Sequence, residues 1–172
     1  MGLFEILFFM LVLSFAGAAL SIAPWVPTQK KDLQRIHHLA QLKAGQVFFE
    51  MGCWDSRVSR YIAKNNPQAK VIWIDMCIPM YVYAKVLQWI FPIQNLTILF
   101  GDGFYQDLKK VDIIYVFGVP ESMNILQKKF EKDLKKWAKV FSYVCEMKNW
   151  KGIIEKNKPQ KEVLAIFIHH LG

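Results

Sequence analysis

The chain opens on one long charge-free apolar stretch and then settles into short apolar runs that alternate with helical stripes. Ile6 to Ala23, ILFFMLVLSFAGAALSIA, is 18 residues without a charge. As a helix it measures about 27 Å, enough for one tilted or slightly short bilayer crossing. Pro24 and Pro27 end it, and Trp25 between them suits the membrane interface. A helix is expected over Gln29 to Lys43, capped by Thr28, with Leu33, Ile36, Leu39, Ala40 and Leu42 on its apolar face. Val47-Phe48-Phe49 reads as a buried strand ending on Glu50, and Gly52 as the turn after it. Val58, Tyr61 and Ile62 mark the face of a helix that starts at Asp55 or Ser56, either a plausible cap.

Lys70 to Asp75 is a second buried strand ending on an acid. Pro79 to about Phe91 is a helix apolar on most sides, with Lys85 and Gln88 as its polar stripe, hence buried or partly membrane-facing. Leu96 to Phe100 and Asp112 to Phe117 read as the third and fourth strands. Glu121 to Val140 predicts an amphipathic helix with Met123, Leu126, Phe130, Leu134 and Trp137 opposite a lysine-rich face. Phe141 to Cys145 and the apolar run within Glu162 to His169 supply the last strands. This order predicts an α/β sandwich with a mainly parallel sheet. Residues 1–24 form the expected transmembrane anchor and residues 25–172 a single domain.

Composition sharpens the reading of the front. The chain of 172 residues is 53% hydrophobic, and the excess lies in that first stretch. A cleaved signal peptide is the alternative, with small residues at Ala16 to Ala19 to suit cleavage. It lacks the positive n-region, since the only early charge is Glu5. Lys30, Lys31 and Arg35 follow the span and nothing basic precedes it, so the positive-inside rule places the domain in the cytoplasm. Cys53, Cys77 and Cys145 agree: an odd number, no zinc spacing and no disulfide framework. His37 and His38 are adjacent and form no i, i+4 metal pair, and no metal site is expected. The net charge of +8 admits nucleic acid, but a tethered basic domain lying against an anionic leaflet is the simpler account, and no nucleic acid is expected. Solvated lysine faces explain much of the rest.

The candidate chemistry lies where strands end. A strand, a glycine turn and a helix N-terminus make a cradle at the carboxyl edge of a doubly wound sheet. Asp75 follows Gly52 by 23 residues, the spacing at which an acid of a dinucleotide fold accepts ribose hydroxyls. Met76 beside it can pack on an adenine ring. Gly101-Asp102-Gly103-Phe104 follows the third strand, though Asp-Gly pairs also make turns for no functional reason. NAD-binding turns carry three glycines, and here Gly52 stands alone. An ordinary strand-to-helix turn accounts for the octapeptide taken by itself. Glu50, Asp75 and Asp102, closing successive strands at one edge, form the constellation that argues for a site.

Glu50-Met51-Gly52-Cys53-Trp54-Asp55-Ser56-Arg57 resembles the E/D-x-G-x-G-x-G motif of class I S-adenosylmethionine (SAM) methyltransferases, often D-L-G-C-G-D-G-R. Glu50, Gly52, Cys53, Asp55 and Arg57 match, while Trp54 and Ser56 replace the second and third glycines. Pro24-Trp25-Val26-Pro27-Thr28 resembles the P-[FYW]-V-P-[TS] stretch of one group within that family. These are the membrane-anchored protein-lysine methyltransferases similar to the one modifying the c-subunit of mitochondrial ATP synthase, with many prokaryotic relatives. Gly101 to Phe104 is similar to their G-D-L-F, with Gly103 departing from it. Val111 to Tyr115 is similar to their next strand, Phe117 to Pro120 to an L-x-P ending, and Asn149-Trp150-Lys151 to a late G-W-K-P turn. The likeness runs from about Gly2 to Trp150.

The resemblance implies a Rossmann-like SAM-methyltransferase sandwich with SAM as cofactor. It implies contacts from Glu50, Gly52, Cys53, Trp54, Asp55, Asp75, Met76, Gly101, Asp102, Gly103, Phe104 and Phe117. In-line methyl transfer needs alignment and an uncharged nucleophile, which desolvation favours for a lysine. Trp25, Tyr115 and Trp150, with Phe117, are candidates to line the substrate side, and at least two of these four are expected to pack in the core instead. No catalytic residue is assigned. The expected function is a membrane-anchored SAM-dependent methyltransferase acting on a lysine of a protein, which itself can be a membrane protein. A small-molecule or lipid methyltransferase is one alternative. A degenerate fold serving as a tethered scaffold, favoured by Trp54 and Ser56, is the other.

Overall fold

A computed structural model describes residues 28–171 other than Cys53, together with Gly2, Glu5, Phe8, Phe9 and Val12. The stretch read as an anchor, and Trp25 after it, lie outside the described residues except for Phe8, Phe9 and Val12. Among the described residues no helix is long and apolar enough to cross a membrane.

The elements are α1 (Lys30–Ala40), β1 (Val47–Met51), α2 (Arg57–Asn65), β2 (Lys70–Asp75), α3 (Ile78–Ile90), β3 (Leu96–Phe100), a 3-10 turn (Gly103–Tyr105), β4 (Ile113–Val116), α4 (Pro120–Asp133), β5 (Lys139–Tyr143), β6 (Ile154–Asn157) and β7 (Ile166–His170). Seven strands form one sheet in the order β3-β2-β1-β4-β5-β7-β6. The first five strands run parallel, and β7 pairs antiparallel with both β5 and β6. Parallel strands covered on both faces explain why β1, β2 and β4 are apolar almost throughout. One face carries α1, α2 and α3 over Phe48, Trp73, Tyr115 and Phe141. The other carries α4 over Phe49, Ile114, Val116 and Val140.

Several boundaries differ from the expectation, each for a physical reason. Thr28 does not cap α1, because its hydroxyl pairs with the buried Tyr115 hydroxyl at 2.7 Å. That helix ends at Ala40, where Gln41 turns left-handed at φ 45°, rather than at Lys43. The helix expected over Glu121 to Val140 stops at Asp133. Trp137 is therefore not on an apolar helix face: it has φ 70° and is 82% exposed in the connection to β5. Strand β6, unforeseen in the polar sequence Ile-Glu-Lys-Asn, is an edge strand. Helix α3 is not buried, since Ala84 is the one residue it fully covers.

Candidate cofactor site

Every parallel strand presents its carboxyl end to the same edge, so sequence order becomes spatial order there. Register places Met51 level with Ile74 on one side and Val116 on the other, and Asp75 level with Phe100. Lateral backbone bonds then tie the turns together. The N–H of Gly52 donates to Ile74 O at 2.9 Å, and that of Gly101 to Asp75 O at 3.0 Å. The structure thus sets Glu50 one residue short of the end of β1, Asp75 at the end of β2 and Asp102 in the turn after β3, on adjacent strands.

The turn after β1 is left-handed at three of its residues. Gly52, Trp54 and Ser56 have φ of 59°, 64° and 55°, and these are the three glycine positions of the motif that the octapeptide resembles. The backbone therefore keeps the path of a glycine turn although two of its residues carry side chains. Left-handed conformation costs a non-glycine residue about 1–2 kcal/mol. Ser56 occupies the cap position of α2 but makes no cap bond, and its buried hydroxyl has no hydrogen-bond partner.

Glu50 does the capping instead. One carboxylate oxygen accepts the backbone N–H of Ser59 at 2.7 Å, and the residue is wholly buried. Burial pushes its carboxyl up to about 8, against the opposing pull of the Ser59 hydrogen bonds. Glu50 lies inside strand β1, not at its end, and its carboxylate is beneath the turn. Oε2 holds the loop in shape through Ser59, and Oε1 is buried without a hydrogen-bond partner. Asp55 is committed in a similar way. Both of its oxygens accept from the Arg57 guanidinium, at 2.9 and 2.7 Å from Nε. Arg57 also donates to Thr28 O at 3.1 Å, fastening the start of α1 to this turn.

Asp75 is nearly buried. It accepts the N–H of Cys77 at 2.8 Å, and the backbones of Trp54 and Met76 also donate to it. Burial raises its carboxyl to about 6, opposed by these three bonds. Met76 beside it is exposed. At the next turn Asp102 accepts the N–H of Phe104 at 2.8 Å and stays half-buried. Gly103 is forced to be glycine, since a Cβ there would stand 2.5 Å from Met51 Cγ. Phe104 is half-buried, with the Lys129 ammonium 5.5 Å from its ring centroid.

The aromatic candidates divide. Phe117 is nearly buried and meets the Tyr143 ring edge-on at 5.5 Å. Tyr115 is fully buried with its hydroxyl on Thr28. The Trp150 indole donates to His170 O at 2.9 Å and packs beside His169. Tyr115 and Trp150 are core residues and line no open slot. Cys53 and Trp25 lie outside the described residues. Thr28 and Ser59 shape the site without having been singled out for it, and Arg57, read only as a motif match, fastens the turn. Ser59, three residues past the cap position, carried the one readable signal, a helix N-terminus in need of an acceptor.

These residues fit a SAM molecule. The space around Gly52 is open, with no atom within 4 Å of a Cβ built there. The turn shows backbone at alternate positions, and Asp75 and Asp102 stand at the two following strand ends. No group of histidine, cysteine or carboxylate side chains among the described residues could hold a metal ion.

No family model matches the chain. A protein-lysine N-methyltransferase of Saccharolobus islandicus is 23% identical over 133 residues, covering 74% of this chain and 80% of that protein. The structure of an RNA methyltransferase from Salinibacter ruber, in complex with S-adenosyl-L-homocysteine, superposes with a TM-score of 0.74 at 19% identity. It covers 84% of this chain and 92% of that one. A precorrin-6y C5,15-methyltransferase from Geobacter metallireducens gives a TM-score of 0.63 at 12% identity, covering 86% and 92%. With strand order, turn path and relatives in agreement, the chain has the class I SAM-dependent methyltransferase fold and a distant homologue among the protein-lysine methyltransferases.

Proposed function

We propose that this chain is a SAM-dependent methyltransferase that modifies a lysine of a protein substrate, held to a membrane by residues 6–23 with its domain on the cytoplasmic side. The observation that carries the methyltransferase reading is the turn at Gly52, Trp54 and Ser56. Two residues accept left-handed strain to keep a glycine path, and its return strand ends on Asp75. SAM supplies an electrophilic methyl group on a sulfonium. Asp75 and Met76 are the residues to hold its ribose and adenine, Asp102 and Phe104 to border the adenine, and Gly52 and Trp54 to pass beside its methionine end. Phe117 closes the edge at the end of β4. The chain's task on the substrate side is to align a lysine and strip water from its ammonium, so that the neutral amine is the nucleophile.

The lysine part rests on the Saccharolobus relative and on the stretches that resemble the anchored group. The membrane part rests on the apolar span and on where the domain picks up the chain after it. Thr28 is held by Tyr115 and Arg57, and Asp32 accepts the Tyr143 hydroxyl at 2.5 Å. Tyr143 ends β5, Arg57 follows the turn after β1, and Tyr115 is one residue short of the end of β4. A span entering there would put the reacting edge beside the bilayer, within reach of a lysine at a membrane surface.

Titration of the full chain with SAM in detergent tests the first part. Micromolar binding is expected, and no binding at millimolar SAM rejects an enzyme. Methyl labelling of native membranes, with mapping of the modified residue, tests the second, and a label on lipid or a small molecule rejects the lysine. Trp54, half-buried at a glycine position, favours the second reading, a tethered scaffold with a plugged site. In that case Trp54→Gly would create binding that the native chain lacks.

A further inference from the structure

Helix α3 is an anomaly on the outer layer. It buries Ala84 alone, while Ile78, Val82, Val86, Trp89 and Ile90 are exposed, Trp89 to 83%, and exposed Phe91 follows at its end. At 100° per residue Ile78, Val82, Val86 and Trp89 fall within one stripe less than about a quarter-turn wide. A soluble surface helix normally turns such a stripe inward, and this one turns it to solvent.

From residue 28 to residue 101 the acids are Asp32, Glu50, Asp55 and Asp75. Three of them are buried, and Asp55 is bound to Arg57. Over the same residues Lys30, Lys31, Lys43, Lys64, Lys70 and Lys85 are exposed. On α3 itself Lys85 is the one charge and is exposed, and at its far end Arg60 and Lys64 of α2 border a hollow with Ile90 and Phe91, while Asp102 and Asp107 follow the end of β3.

We propose that the outer face of α3 lies in the interface of an anionic lipid bilayer, with Val82, Val86 and Trp89 in the headgroup–acyl boundary and Lys85, Arg60 and Lys64 on anionic headgroups. Charge selects this occupant. An apolar ridge that carries Lys85 and ends beside Arg60 and Lys64 matches an anionic leaflet, whereas a second copy would bring the same cations against themselves. Tryptophan at the end of the ridge is the side chain suited to that depth. The contact is separate from the span at residues 6–23 and from methyl transfer. It rests on the membrane reading only for which leaflet the face meets. With α3 starting directly after Asp75 and Met76, docking would fix the cofactor edge at the bilayer surface instead of leaving it free on a tether.

The test uses the full chain with vesicles of phosphatidylcholine, with and without phosphatidylglycerol, carrying brominated acyl chains that quench nearby tryptophan. The quenching that Trp89→Phe removes belongs to Trp89. It is expected in phosphatidylglycerol vesicles and to fall with salt. Val82→Asp/Val86→Asp, at two exposed positions, should reduce it about tenfold without unfolding the domain. Trp89 unquenched in phosphatidylglycerol vesicles overturns the proposal. So does shielding of Trp89 from acrylamide without lipid, as a dimer or the chain's own apolar stretch would produce. Carbonate extraction reads the span alone, so failure of the anchor and failure of the α3 contact are distinguishable.

Discussion

The carboxylate of Glu50 and the backbone N–H of Ser59, nine residues apart, meet at 2.7 Å inside the protein. The acid of the motif thus caps the helix that the motif introduces, and the turn between them is closed like a staple. This bond explains why a strand–turn–helix with two missing glycines keeps its shape: an acceptor from below replaces the cap that left-handed Ser56 cannot supply.

Glu50 makes stability depend on pH. With its carboxyl raised from 4.5 to about 8, the folded state binds a proton more tightly than the unfolded chain. Its contribution is present below pH 4.5 and is lost as pH rises through about 8. Glu50→Gln keeps the acceptor oxygen and cannot ionise. The urea midpoint of the native chain should therefore fall relative to that variant from about pH 4.5 to about pH 8 and level off above that. Parallel curves would mean that Glu50 is solvated.

Ser56→Gly should raise stability by about 0.5–1 kcal/mol, since it relieves a left-handed residue and removes a hydroxyl buried without a partner. Trp54→Gly relieves the same backbone strain but gives up indole packing, and SAM affinity should stay within about tenfold. A clear loss of stability in Ser56→Gly, read by chemical denaturation, would show that the turn does not take this path.

Asp75→Ala should weaken SAM binding by about 2–4 kcal/mol, because a carboxylate placed for ribose hydroxyls is lost along with its hold on Trp54 and Cys77. Asp75→Asn keeps one acceptor and should recover part of that. Affinity should also drop as pH falls through about 6, where the Asp75 carboxylate takes up its proton. A dissociation constant indifferent to both substitutions, measured by calorimetry, removes Asp75 from the site.

Gly103→Ala should destabilise by about 1–3 kcal/mol, because its new methyl meets Met51 Cγ at 2.5 Å. In a Met51→Ala background the same substitution should cost little. A double-mutant cycle on urea midpoints with no coupling would show that Met51 does not fill the space.

The sequence by itself determined the order of the helices and of every strand but β6, and the edge at which the acids gather. Both follow from local periodicity, since buried parallel strands are apolar runs and helices are stripes, and every parallel strand must end on the same side. It also marked Asp75 and the Gly52 turn, whose type and spacing fall within one βαβ unit, and Asp102 past the next strand. What it did not determine depends on partners far along the chain. Glu50 looks alike whether its carboxylate faces a ligand or a helix end, and only the packing of α2 over β1 sends it inward. Tyr115 and Trp150 read as slot-lining aromatics until Thr28, 87 residues from Tyr115, and His170, 20 from Trp150, claim their polar atoms. The polar β6 becomes a strand because β7 offers it an edge. Trp54 and Ser56 take a glycine's backbone conformation because lateral bonds at Gly52 and Asp75 hold both ends of the turn, a tertiary constraint that overrides their local preference.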